Sequence, residues 1–150
     1  MSKVIVTGGC GYIGSHTVIV LIDQGYKVVI FDDFSNSSED TLNRITKITG
    51  IEPLFEKVDL KNKTEAIKAF KQHKDAHAVI HFAAFKAVKE SINDPLSYYE
   101  NNLFSLINVL NAIKYFNIKN FIFSSSATVY GMPESIPMTE NSPVKRPFSP

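Results

Sequence analysis

Three glycines, at positions 8, 11 and 14, fall in the run Thr7-Gly8-Gly9-Cys10-Gly11-Tyr12-Ile13-Gly14, directly after the apolar stretch Val4-Ile5-Val6. This spacing suits a strand that turns sharply into a helix, so that bare backbone amides and a helix N-terminus face a phosphate. Gly8 permits the tight turn, Gly11 lets a pyrophosphate approach the main chain, and Gly14 lets the helix pack close to the strand. Asp32 ends the next apolar run, where a dinucleotide-binding fold puts a carboxylate on the ribose hydroxyls. Asp33 adds a second negative charge, and the next cation along the chain is Arg44. A ribose 2′-phosphate would face both carboxylates unaided, so NAD is expected over NADP.

Further chemistry-bearing residues recur at the ends of later apolar runs. Asp59-Leu60 follows the third run; its carboxylate either accepts from an adenine amino group, with the next N–H against the ring, or caps the following helix. After the fourth run stands His81-Phe82-Ala83-Ala84-Phe85-Lys86. Small residues at 83 and 84 let the backbone pass close to a cofactor, Lys86 can meet ribose or phosphate oxygens, and His81 reads as a structural strand-end histidine. Asn101 and Asn102 lie inside a long helical pattern, where asparagine competes with helical hydrogen bonding. One of them is expected to pack or to bind, unless both sit on an exposed polar face. Ser124-Ser125-Ser126 follows the fifth run, offering hydroxyls to a sugar or nicotinamide. No Ser-His-Asp spacing accompanies them, and neither Cys10 nor the histidines have metal-ligand spacing, so neither a nucleophilic serine nor a metal site is expected.

These groups need a frame, and the rest of the sequence supplies one. Short β-branched or aromatic runs alternate with longer helical patterns, as in a parallel sheet covered on both faces. Strands are expected over 3–7, 27–31, 53–57, 78–82 and 120–124, buried on both sides; helices over 12–24, 38–49, 63–73 and 95–116. Gly25 caps the first helix, and Asp94-Pro95 opens the last. In that helix Leu96, Tyr99, Leu103, Ile107 and Leu110 recur at three- and four-residue steps and predict its buried face. Right-handed crossovers favour a doubly wound α/β sheet of order 3-2-1-4-5. Residues 1–131 read as the core; 132–150, with prolines at 133, 137, 143, 147 and 150, reads as an extended tail.

The 150 residues suit one domain, with 16 Lys plus Arg against 15 Asp plus Glu. That near-balance argues against a nucleic-acid partner or a membrane surface. The first strand is expected to begin almost at residue 1, so no signal peptide is expected. A single cysteine makes a reducing cytoplasm the expected setting.

Taken together, TGGCGYIGSHT, HFAAFKAVKES and FIFSSSATVYG resemble the UDP-glucose (UDP-galactose) 4-epimerases, which are extended short-chain dehydrogenases/reductases. The resemblance spans essentially the whole chain. It implies NAD contacts from Gly8, Gly11, Tyr12, Ile13, Asp32, Asn36, Ser37, Asp59, Leu60, Phe82, Ala83, Lys86, Asn101 and Ser124. It also implies a catalytic role for Ser126 and a place for Lys86 near the UDP-sugar. The implied reaction passes the sugar C4 hydride to NAD and returns it to the other face, with a tyrosine as base and a lysine four residues later. That pair would fall just after residue 150, so this stretch alone is expected to lack activity, the tyrosine helix and the substrate domain. An exposed apolar face and self-association, or a homodimer, are expected with it. A 4,6-dehydratase would need an Asp-Glu pair where Ala127-Thr128 stand. Other nucleotide-sugar epimerases and a non-catalytic NAD-binding module are the alternatives.

Overall fold

The computed structural model describes residues 1–147; the last part of the expected tail, 148–150, lies outside them. Five parallel strands form one sheet: β1 (Lys3–Thr7), β2 (Lys27–Asp32), β3 (Leu54–Lys57), β4 (Ala78–His81) and β5 (Asn120–Phe123), in the order β3-β2-β1-β4-β5. Helices α1 (Tyr12–Asp23), α2 (Asp40–Thr49), α3 (Lys63–Gln72), α4 (Val88–Asn93) and α5 (Pro95–Phe116) cover it. The chain winds outward from β1 in both directions, so a crevice opens at the carboxyl edge beside that strand.

Alternate residues of the central strands feed two cores, as the period of two requires. Val4, Val6, Val28 and Ile30 meet Val18 and Ile22 of α1 and Ile45 of α2 on one face. Ile5, Val29, Phe31 and Val79 meet Phe70 of α3 and Val109 and Ala112 of α5 on the other. Phe31 and Phe70 pack edge to face, with ring centroids 5.1 Å apart. The helix ends follow the local chemistry. Gly25 takes φ +80 just after α1 and Gly50 takes φ +71 at the end of α2. Asp94 accepts from the Ser97 amide ahead of Pro95. Asn62, rather than Asp59, caps α3: its side chain accepts from Thr64 and Glu65 amides and donates to Glu65 Oε1 at 2.9 Å.

Two expectations are corrected. Burial on both faces holds for β1 and β2 but not for the edge strands β3, whose Leu54 is exposed, and β5, whose Ile122 and Phe123 are exposed. The apolar series on α5 is not its sheet-facing side. Leu96, Tyr99, Leu103, Ile107 and Leu110 are all exposed, Leu96 at 72%. The buried side instead carries Tyr98, Ser105, Asn108, Val109 and Ala112. Small residues let the helix sit close to α3 and the sheet; Tyr98 and Asn108 bond to neighbouring loops, while Ser105 donates to Asn102 O in its own helix. The apolar periodicity was real but marked the opposite side of the cylinder. The six-residue α4 and the 3-10 turn Ala127–Tyr130 were not anticipated; neither is long enough to carry a helical period.

Candidate functional site

The crevice is a cleft of about 680 Å3 at the carboxyl ends of the strands. Its floor is the glycine turn. Gly8 takes φ +67, and a Cβ there would lie 2.7 Å from the Ala83 nitrogen, so the chain leaving β4 crosses directly over the turn. A Cβ on Gly14 would run into the Gly8 carbonyl oxygen. Gly11 ends the turn in extended conformation and opens α1. The amides of Tyr12, Ile13 and Gly14, the first turn of α1, have no backbone acceptor among the described residues, which is the ordinary condition of a helix start. They stand where an anion gains from both the free N–H groups and the helix dipole.

Asp32 joins this turn to the loop after β2. Its Oδ2 accepts from the Cys10 amide at 2.9 Å; its Oδ1 accepts from the Phe34 amide at 3.0 Å and the Ser37 hydroxyl at 2.8 Å. Hydrogen bonds to a carboxylate are worth about 2 kcal/mol each, so this one side chain fixes both walls of the pocket. Phe34 adopts φ +63, an uncommon backbone for a bulky residue, and is held by that amide bond and by stacking on Phe55 at 4.9 Å. Cys10 is 4% exposed, and burial first, then the charge of Asp32, push its thiol up to about 12. It is a packing residue, inert as a nucleophile.

At the foot of the far wall Thr7 Oγ1 and His81 Nδ1 lie 2.7 Å apart, and the Ala83 amide approaches the same hydroxyl at 3.4 Å. Burial pulls His81 down to about 4, so it is a neutral structural group at neutral pH. The next loop is pinned by α5. Asn102 accepts from the Phe85 amide and donates to the Phe85 carbonyl, at 2.8 and 3.0 Å. Tyr98 accepts from the Ala87 amide at 3.1 Å. Lys86 lies between these two fixed peptides and faces the cleft. Asn101 also lines the cleft, its amide donating to Asn102 Oδ1. The asparagine pair thus divides its work: Asn102 holds the loop, Asn101 borders the cavity.

The serine end is built differently. The Ser124 amide reaches His81 O at 3.2 Å. Ser126 Oγ lies 2.8 Å from Thr128 Oγ1 and accepts from the Thr128 amide, so it caps the 3-10 turn while its hydroxyl borders the cleft. Every residue that sequence reasoning put forward for cofactor or substrate lines this one cavity: Gly8, Gly11, Tyr12, Ile13, Gly14, Asp32, Asn36, Ser37, Asp59, Leu60, Phe82, Ala83, Lys86, Asn101, Ser124 and Ser126. The sequence reading missed Tyr98 and Asn108. Each lies inside α5 beneath its apolar pattern, and the mid-helix asparagine argument, applied at 101 and 102, extends equally to 108. Among the described residues no His, Cys, Asp and Glu cluster could hold a metal, and no helix is long and apolar enough to cross a membrane.

A UDP-glucose 4-epimerase of Yersinia pestis is 50% identical over 147 residues, covering 98% of this chain and 43% of its own length. One from Schizosaccharomyces pombe is 49% identical over 93% of this chain and 40% of its own length. The UDP-glucose 4-epimerase of Bifidobacterium longum, crystallised with NAD+ and UDP, superposes with a TM-score of 0.91 at 42% identity, over 96% of this chain and 43% of that one. This chain therefore spans about two-fifths of the length of the relatives it matches. The family model described as GDP-mannose 4,6 dehydratase matches residues 5–150, and the chain belongs to that family.

Proposed function

We propose that this member of the GDP-mannose 4,6-dehydratase family is the NAD-binding portion of a UDP-glucose 4-epimerase, which interconverts UDP-galactose and UDP-glucose through a 4-keto sugar. The observation that carries the reading is the single cleft in which Asp32 ties the glycine turn, through Cys10, to Ser37. A dinucleotide fits it on structural grounds: the turn is closed to any Cβ at Gly8 and Gly14, while unpaired amides of α1 face the opening. Asp32 would take the adenosine ribose hydroxyls, with Asn36 and Ser37 beside it. Gly11, Tyr12 and Ile13 would present amides to the diphosphate. Asp59 and Leu60 would meet the adenine, and Phe82 and Ala83 would lie along the cofactor. Lys86, Asn101 and Ser124 would border the nicotinamide ribose.

When bound, NAD would supply a hydride acceptor and donor at the sugar C4. Ser126 would hold the reacting sugar oxygen, and Lys86 would stand near the nucleotide sugar. Ala127 and Thr128 carry no carboxylate, which favours epimerisation over elimination of water. Of the tyrosines here, only Tyr115 stands four residues before a lysine, Lys119, and that pair lies at the opposite end of α5 from the cleft. No tyrosine of this chain is assigned as the base. The exposed stripe on α5 is proposed as the surface for a second copy, and the lone, buried Cys10 suits a reducing, cytoplasmic setting.

Calorimetric titration tests the cofactor assignment. NAD is expected to bind at least about tenfold more tightly than NADP, and Asp32→Asn to weaken NAD by about tenfold to a hundredfold. Equal or tighter binding of NADP would overturn the NAD assignment, and binding of neither would overturn the site. Conversion of UDP-galactose to UDP-glucose by the protein carrying this segment, lost with Ser126→Ala, is the matching test of the reaction.

A further inference from the structure

Asn108 lies in the middle of α5, is 7% exposed, and spends both amide hydrogens on one turn of chain far away in sequence: Nδ2 donates to Leu60 O and to Lys61 O, each at 2.9 Å. The peptide that joins Leu60 to Lys61 is therefore held at both ends. Its carbonyl is fixed by Asn108, and its N–H donates to Asp59 Oδ1 at 2.9 Å. A hydrogen bond to a peptide carbonyl polarises that peptide and strengthens the bond its N–H makes. Asp59 and Leu60 both line the cleft; Asp59 Oδ2 lies 3.7 Å from Lys61 Nζ, and the Leu60 N–H has no acceptor among the described residues. Nothing else in α5 reaches this loop through a side-chain hydrogen bond, and Asn108 is one of the few polar residues the two cores enclose.

We infer that Asn108 is a positioning residue for the base end of the nucleotide site, acting through the Leu60–Lys61 peptide to aim the Asp59 carboxylate at an exocyclic amino group. The inference rests on the dinucleotide reading above and specifies how one end of that site selects its base. A side chain that merely filled space would support affinity for any dinucleotide alike. One that aims a carboxylate supports discrimination between a base bearing an amino group and a base bearing a carbonyl oxygen at the same position.

The test compares NAD with nicotinamide hypoxanthine dinucleotide, in which an oxygen replaces the adenine amino group. The parent protein is expected to prefer NAD by about thirtyfold, the worth of one hydrogen bond to a charged acceptor. Asn108→Leu is expected to shrink that preference to less than about threefold, and Asn108→Ser, which retains a single donor, to an intermediate value. Val109→Ala, on the same helix and also buried, is expected to lower stability while leaving the ratio as in the parent. An unchanged ratio in the Asn108 variants, or no preference in the parent, overturns the inference; failure of the parent to bind either dinucleotide overturns the underlying reading instead. Should neither Asn108 variant fold, hydrogen exchange at the Lys61 amide of the NAD-bound parent decides. Slow exchange is expected, and exchange at the rate of an exposed loop overturns the assignment.

Discussion

The two ends of the cleft are held in different ways. At the end formed by the glycine turn and the loop after β3, polar groups are buried and bonded across long stretches of sequence: Cys10 to Asp32, Thr7 to His81, Asn108 to Leu60. At the serine end, the Ser126 side chain bonds to Thr128, two residues on, and its carbonyl accepts from the Val129 amide, three residues on; Ser126 and Thr128 are both exposed. Residues 132–147 beyond it form no strand or α-helix, though the Lys145 amide returns to Val129 O and Lys145 pairs with Glu134. Long-range bonds fix a geometry because each closes a large loop that the fold has already closed by other means. Bonds between near neighbours fix only the local turn. A rigid cradle thus stands beside an edge whose serine hydroxyl is placed by bonds to near neighbours.

The contrast is most sharply tested where the cradle has no slack. Gly14→Ala would drive a methyl group into the Gly8 carbonyl and the Gly9 Cα. It is expected to cost about 3 kcal/mol of stability and to abolish dinucleotide binding, measured by urea unfolding and calorimetry. A variant that keeps its stability and its affinity would show the turn to be pliable and erase the contrast.

A smaller effect comes from His81, which joins the cradle to the far wall. Its ordinary value of 6.5 is lowered to about 4 by burial. The unfolded chain therefore binds this proton first, and the stability that His81 supports is full above about pH 6.5 and drains away as pH falls toward 4. Between pH 7 and pH 5 the loss is expected to be about 2 kcal/mol, with His81→Asn flattening that part of the pH profile. A profile unaltered by the substitution would break the link. The smallest effect belongs to the serine end: Ser126→Ala is expected to change stability by less than about 0.5 kcal/mol and leave NAD affinity unaltered, while turnover in the proposed epimerase reaction is lost. A thermal melt and a titration check this, and a large loss of stability would make the two ends alike.

What could be read in the sequence follows the same division. The glycine spacing, Asp32 and the strand order depend on local backbone chemistry and on period-two burial, and they were legible at Lys3–Thr7 and Tyr12–Asp23 almost to the residue. The long helix was placed correctly at Pro95–Phe116, yet its orientation was not. A run such as Leu96, Tyr99, Leu103 and Ile107 reports that a face seeks apolar company without saying whose. The side that meets the chain's own sheet is marked by Ser105 and Ala112, whose smallness carries no periodic signal. Asn108 carries the same mid-helix signal as Asn101 and Asn102, but its partners, Leu60 and Lys61, were not legible, because only the packing of α3 on α5 brings them near.

Cys10 gives this protein a built-in stopwatch. It is the sole thiol, sealed under the turn and kept protonated, so an alkylating reagent can reach it only during moments when that turn lifts away from Asp32. The rate of labelling therefore times a single local breathing motion, with no second sulfur to blur the reading.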